Sequence, residues 1–323
     1  MPNKKPKAKQ TTTPARTKRV APVTPPLAVD RRALEKTTAD LMRLLSTRDF
    51  DSIDDANAFL QQALASGAPL SAPARTPLEQ AQDRMYAAWQ ATGRRRIQLA
   101  REALALSPDC ADAYVLLAEE AATTPEEARD LYQQGVAAGE RALGPELFVE
   151  GVGHFWGLVE TRPYMRAREG LAHALWVLGQ RQAAINHLQA MLQLNPGDNQ
   201  GLRYVLAQWL LDTDADAALG QLFDQYPDDA AAAWAYTRAL ALFRQQGATE
   251  TATDALAEAL STNQFVSAYL LGRKRLPPRR PEYIGFGDDS EAIAYAAHAT
   301  EVWRTTPGAL EWLANALREG RRR

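Results

Sequence analysis

The densest group of chemically versatile side chains lies between His154 and Tyr164, where the chain reads HFWGLVETRPY. Aromatic and arginine anchors dominate the energetics of many interfaces, so one interpretation is a recognition patch, or an enzyme or small-ligand site, within Gly151–Tyr164. The side chains of that patch are His154, Trp156, Glu160 and Arg162. The alternative interpretation is that Phe155 and Trp156 cap the core while Glu160 pairs with a neighbouring arginine.

The spacing of the histidines and the single cysteine does not favour nucleophilic catalysis or metal binding. A nucleophile needs a histidine and an orienting acid beside it, and a zincin needs an HExxH run, which none of the histidines forms. The four histidines are His154, His173, His187 and His298. Cys110 is the only cysteine, which excludes an intrachain disulfide and a cysteine-based zinc site and favours a reducing compartment. We expect no catalytic residue, no metal, no cofactor and a cytoplasmic location.

The most regular pattern is the 33-residue stretch Met165–Gly197, which reads as two amphipathic helices back to back. It resembles a tetratricopeptide repeat. Small residues stand at Ala172 and Ala184, where paired helices must cross closely, and Gly179 can end the first helix without a Cβ clash. Because one such unit cannot bury its apolar face alone, the pattern predicts repeats stacked on both sides.

Stacked repeats of this kind line a concave groove with the first helix of each pair. At the groove positions of this repeat and the next stand Arg166, Glu169, His173, Trp176, Gln200 and Arg203. A planar guanidinium binds carboxylate through two hydrogen bonds, so we expect Arg166 and Arg203 to hold an acidic segment of a partner protein. Trp176 would supply the apolar contact. The competing interpretation is solvated helix faces with ion pairs inside the repeats.

The groove does not match the peptide clamp that is well known in tetratricopeptide proteins. That clamp uses lysine and asparagine at several of these positions, whereas this chain has Glu169 and His173. A chaperone tail is therefore not the partner that we expect.

Composition and periodicity predict an all-α superhelix with a basic tail. The chain is 46% hydrophobic and sparse in β-branched residues, which favours packed helices. We predict a disordered basic tail at residues 1–29, a helical hairpin at 30–68 and a tetratricopeptide-type repeat domain at 78–318. Within that domain, a glycine-rich insertion occupies 144–163 and a proline-rich linker 273–289.

The distribution of charge bears on the class of partner. Net charge is −2, yet seven of the 37 Lys and Arg residues precede the first acid, Asp30. The remaining chain is therefore acidic, which disfavours nucleic-acid binding by the folded body. The tail is either a solubilising segment or a weak nucleic-acid tether. A membrane partner is not expected, because no apolar run of about 18 residues occurs.

The C-terminal half resembles the suppressor of tumorigenicity 7 family over roughly residues 160–315. The residues that carry the resemblance are Gly287 to Ala296 (GDDSEAIAYA), His298, Trp303, Gly308 to Leu310, Tyr236, Thr237, Ala239, Leu240, Ser261, Tyr269, Leu270 and Leu276 to Pro278. The resemblance implies a helical fold with tetratricopeptide-like repeats and brings no catalytic residue. The family's animal members carry membrane-spanning segments, which this sequence lacks. The expected function is a noncatalytic protein-binding scaffold.

Overall fold

A computed structural model describes residues 31–67 and 73–320, and the regular elements in these ranges are all helical. The predicted all-α class is confirmed for them. The predicted basic tail at residues 1–29 lies outside the described residues. The α-helices are α1 (Arg31–Leu45), α2 (Ile53–Ala65), α3 (Pro77–Gln90), α4 (Arg94–Leu106), α5 (Ala111–Glu120), α6 (Pro125–Glu150), α7 (Arg162–Val177), α8 (Arg181–Leu194), α9 (Leu202–Asp212), α10 (Asp216–Gln225), α11 (Ala232–Gln246), α12 (Glu250–Thr262), α13 (Val266–Leu270), α14 (Asp289–Thr305) and α15 (Ala309–Gly320).

Local sequence signals explain where several helices begin and end. Thr76 and Glu79 form a capping box at the start of α3, in which each side chain accepts a hydrogen bond from the other's backbone N–H. Thr124 caps α6, and the following proline needs no hydrogen-bond acceptor at the first helical position. Gly179 takes φ +76° directly after α7, which confirms the predicted turn.

Consecutive helices pack on one another along the chain. The most extensive contacts join α6 with α7, α11 with α12, α3 with α4, α5 with α6, and α7 with α8. Alternate helices also touch, as α5 does with α7 and α9 with α11. A buried cluster around Met85, Leu99 and Leu116 joins α3 to α5, and a larger one runs from Phe155 to Leu313. Helices such as α5 and α11 thus bury surface against more than one neighbour.

The predicted insertion at residues 144–163 is partly helical. Helix α6 continues to Glu150 through a kink at Gly144, whose φ and ψ are 71° and 161°. Gly144 tolerates this left-handed conformation, and Pro145 restarts the helix where no N–H acceptor is required. Turns and the short 3-10 helix Val159–Thr161 then lead into α7. No helix occurs within residues 271–288, which include most of the predicted proline-rich linker.

Helices α6 and α7 approach so closely that glycine is required between them. A Cβ atom on Gly139 would lie 2.7 Å from Cβ of Tyr164, and one on Gly135 would lie 3.1 Å from Cβ of Ala167. Tyr164 is fully packed, with its ring edge-on to Phe148 and Phe155. This contact sets the angle at which α7, and everything that α7 carries, meets the preceding helices.

Gly139→Ala should therefore destabilise the protein by about 1–3 kcal/mol, because the methyl group must push α6 away from Tyr164. Gly220→Ala is the matched control. Gly220 is also helical but has no atom within 4 Å of an added Cβ, so alanine there should be neutral or stabilise by up to about 1 kcal/mol. Urea unfolding of the two variants measures both effects. Equal stability of the two variants would contradict the close approach.

Candidate functional site

Arg166, the first predicted groove residue, lies between two carboxylates of its own chain. Its Nε and one terminal nitrogen donate to Asp112 of α5, both at 2.7 Å, and its other edge donates to Glu35 of α1 at 2.9 Å twice. The exposed fraction of the Arg166 side chain is 13%. Burial lowers the pKa of Arg166, but the attraction of Asp112 and Glu35 outweighs it and raises the pKa. The Arg166 guanidinium thus links helices α1, α5 and α7 through hydrogen bonds.

Arg203 forms a second internal junction. It donates to Asp229 at 2.5 Å, to Asp198 at 2.9 Å and to the hydroxyl of Tyr204 at 2.7 Å. Asp198 has φ +43° and also accepts from the backbone N–H groups of Leu202 and Arg203 at the start of α9. The arginine therefore ties the α8–α9 turn to the α10–α11 turn.

These contacts correct the expected role of the two arginines. We expected Arg166 and Arg203 to offer their guanidinium groups to a partner, but protein carboxylates already hold both, because the helices bring Glu35, Asp112, Asp198 and Asp229 against them. Ion pairs inside the array were the competing interpretation. Asp112 was missed, although a charge inside the otherwise apolar run ADAYVLLA signals a buried partner.

Glu169 and Gln200 meet between α7 and the turn before α9. Gln200 donates its amide to Glu169 at 2.7 Å, while the amide oxygen of Gln200 is buried and has no partner in the structure. Burial raises the pKa of Glu169 to about 7, the hydrogen bond from Gln200 opposes that shift, and the charge of Asp198 adds to it. This carboxyl group therefore titrates near neutrality inside the groove face.

His173 and Trp176 extend the same face of α7 as a stack of rings. Trp176 lies parallel to Trp209 of α9 at 4.3 Å between ring centroids, and His173 meets the edge of Trp209 at 5.2 Å. The guanidinium of Arg181 lies 3.9 Å from the centroid of Trp176 on the indole ring. Burial lowers the pKa of His173. Arg166, Glu169, His173 and Trp176 thus lie on one face of α7, and their role in a binding groove stays a prediction.

A cleft of about 1000 Å³ opens beside Trp176. It lies between the C-terminal ends of α7, α9, α11 and α14 and the first residues of α8 and α10. The residues that line it include Trp176, Arg181, Asp212, Asp214, Asp216, Phe243, Arg244, His298, Glu301 and Thr305. Stacking fixes both aromatic rings, since Phe243 lies 4.5 Å from Trp312 in the same way that Trp176 lies on Trp209.

The electrostatics of the cleft favour a cation. Four carboxylates face two guanidinium groups, and Arg244 is already engaged by Asp214 and by the carbonyl oxygen of Leu211. Burial lowers the pKa of His298, so its imidazole is neutral at neutral pH. The lining carboxylates therefore outnumber the lining guanidinium groups by two. Lysine or arginine side chains would complement this surface, and the sequence pattern did not reveal it.

The residues of the predicted aromatic patch are divided between core and surface. Phe155 is fully buried and Trp156 packs partly against the core, while His154 and Glu160 are exposed. Arg162 donates to the carbonyl oxygen of Trp156 at 3.0 Å and lies 3.6 Å from Glu35. The alternative interpretation expected a neighbouring arginine to pair with Glu160, but Arg162 pairs with Glu35 instead. A small cavity of about 210 Å³ lies between Glu160, Tyr164 and α1.

The run Gly287 to Ala296 joins helices rather than forming a site. Asp288 caps α14 by accepting from the N–H groups of Ser290 and Glu291. The buried carboxylate of Glu291 accepts from the Ala232 N–H at 2.9 Å, from Asn263 at 2.9 Å and from the Gly287 N–H at 2.8 Å. These contacts fasten α14 to the start of α11 and the end of α12.

Comparison with known proteins identifies the family. The ST7 protein family model matches residues 74–147. The suppressor of tumorigenicity 7 protein-like of Bos taurus is 32% identical over 240 residues, which are 68% of this chain and 43% of that protein. The human protein of the same name is likewise 32% identical over 240 residues, 68% of this chain and 42% of its own length. The chain belongs to the suppressor of tumorigenicity 7 family.

The chain spans about two fifths of the length of these relatives. The suppressor of tumorigenicity 7 protein of Rattus norvegicus is 31% identical over 232 residues, 64% of this chain and 40% of the relative. The family-model match lies before residues 160–315, on which the sequence resemblance was based. None of the described helices has the length and apolar character that a membrane crossing requires. Among the described residues, no cluster of three or more His, Cys, Asp or Glu is arranged to hold a metal ion.

The raised pKa of Glu169 predicts a pH dependence of stability. The folded state holds this proton more tightly than the unfolded state, so the free energy of unfolding should fall as pH rises from about 4.5 to about 7. At about 1.4 kcal/mol per pH unit, the loss is at most about 3 kcal/mol. Glu169→Gln keeps the amide contact and should remove this part of the slope in urea unfolding. Glu258→Gln, an exposed control on α12, should keep it; a slope retained in Glu169→Gln would contradict the assignment.

Proposed function

We propose that this chain is a noncatalytic tetratricopeptide-type scaffold that holds a basic segment of a partner protein in the cleft beside Trp176. The observation that carries the proposal is the convergence of four carboxylates, against two guanidinium groups, and two stacked aromatic rings around one opening. A binding scaffold needs such a surface, and its charge indicates the class of ligand.

The superhelical part of the proposal is supported by how the helices pack. Each first helix of a pair contacts its own second helix and also the first helix of the next pair, as α5 contacts α6 and α7. The α7–α8 unit has its small residues, Ala172 and Ala184, fully buried between helices. Stacked pairs of this kind bury a continuous core and leave one row of helices to form a binding face.

The ligand proposed here differs from the acidic segment that the sequence suggested. Arg166 and Arg203 do not line this cleft and are bound to carboxylates of the same chain, and the cleft itself has four carboxylates against two guanidinium groups. A basic segment would place its ammonium or guanidinium groups near Asp212 and Glu301, both exposed in the cleft, and its apolar side chains on Trp176 and Phe243.

The proposal is tested with the purified full chain on an array of short peptides that vary in charge and apolar content. Peptides that combine Lys or Arg with an apolar residue should be retained. For a selected peptide, Glu301→Lys and Asp212→Lys should each weaken binding about tenfold at low salt, because each reverses a charge in the cleft. Trp176→Ala should weaken binding at all salt concentrations.

Glu258→Lys is the matched control, because it makes the same charge change on the exposed surface of α12. It should change the affinity less than twofold, on the order of the small effects of rim charges. Retention of acidic peptides, or equal effects of Glu301→Lys and Glu258→Lys, would contradict the proposed ligand class.

A further inference from the structure

Helix α1 is attached to the rest of the protein mainly through charged side chains. Its most deeply buried described residue is a glutamate, Glu35, which is 4% exposed, whereas Leu34 and Met42 are 65% and 53% exposed. An amphipathic helix that belongs to a core normally buries its leucine and methionine side chains and exposes its acids. Helix α1 buries Glu35 more deeply than any of its leucines, of which Leu41, Leu44 and Leu45 are half-buried.

The packing beneath α1 is incomplete. The cavity of about 210 Å³ separates Ala39 and Met42 of α1 from Leu78 of α3, Leu143 of α6 and Tyr164 of α7. Contacts at the rim hold the helix instead: Arg32 lies over the ring of Trp89 at 4.3 Å, and Arg43 donates to Asp83 at 2.8 Å. Rim contacts of this kind add little stability.

The surface below Glu35 is built to receive a carboxylate. Gln82 donates to Asp112 at 2.8 Å, and Asp112 holds the Nε edge of Arg166 in place. The second edge of Arg166 is thereby aimed at α1, with Trp89 beside it and Arg162 close by. A guanidinium fixed along one edge is preorganised to bind an incoming carboxylate bidentately along the other.

We propose that the surface formed by Trp89, Arg162 and Arg166, here called the carboxylate receptor, is a docking site for an amphipathic helix of a partner that carries an acid. Helix α1 occupies this site within the chain, with Glu35 in the place of the partner's acid. The partner binds by displacing α1, and its apolar residues fill the cavity that α1 leaves open. This surface is separate from the cleft of the proposed function.

Competition with α1 determines what such a partner must supply. A tethered helix acts at a high effective concentration, of order millimolar for short links, so a partner of equal intrinsic affinity cannot displace it at lower concentration. A partner helix whose apolar side chains fill the cavity better than those of α1 would have the higher intrinsic affinity that displacement requires. Removal of the Glu35 carboxylate by mutation should release α1 and make the carboxylate receptor accessible to a helix of another molecule.

The test uses a fluorescent peptide of residues 31–45 titrated into the full chain, with binding followed by anisotropy. The peptide should bind the Glu35→Ala chain about tenfold or more tightly than the wild-type chain, in which α1 competes. The same peptide with Glu35→Ala should lose that binding. Thr38→Ala, on the exposed face of α1, is the control chain and should behave as wild type.

Hydrogen exchange of the same chains provides the second readout. Glu35→Ala should raise exchange of α1 amides strongly and leave α7 to α12 unchanged, which also shows that the variant is folded. The proposal is overturned if α1 stays protected in Glu35→Ala. It is equally overturned if the peptide binds both chains alike, or if the peptide lacking the acid binds as well as the original.

Discussion

The burial of Arg166 between Asp112 and Glu35 is the constraint on which the arrangement of the N-terminal half depends. A buried guanidinium costs several kcal/mol to desolvate, and four hydrogen bonds of 2.7–2.9 Å to two carboxylates compensate for it here. Those hydrogen bonds join α1, α5 and α7, which are far apart in the sequence. The glycine contacts between α6 and α7 set the same geometry from the opposite side of α7.

Intrachain ion pairs also limit which charges the surface presents. While α1 is docked, carboxylates of the same chain neutralise both Arg166 and Arg203. The cleft beside Trp176 is lined by four carboxylates and two guanidinium groups, and Asp212 and Glu301 are exposed in it. The resemblance to suppressor of tumorigenicity 7 relatives does not supply a ligand, since the chain spans about two fifths of their length.

The sequence predicts the helices, their packing in consecutive pairs, and which residues from Arg166 to Trp176 share one face of α7. These features follow from local periodicity and turn residues. The sequence does not predict which side chains pair with the residues on that face. Glu35 lies 131 positions and Asp112 54 positions from Arg166, and a periodic pattern carries no information on such distant charge pairs. It also placed an insertion at residue 144, where glycine and proline merely kink α6. The run Gly287 to Ala296 was recognised, but its capping and bridging contacts became clear only in three dimensions.

A double-mutant cycle between Arg166 and Asp112 tests the central claim most directly. Arg166→Met and Asp112→Ala should each lower the free energy of unfolding by about 3–5 kcal/mol, because each leaves a buried charge without its partner. The double variant should lose at least about 2 kcal/mol less than the two single losses together. If the two losses instead add to within about 0.5 kcal/mol, the residues do not act as one buried pair, and the account is contradicted.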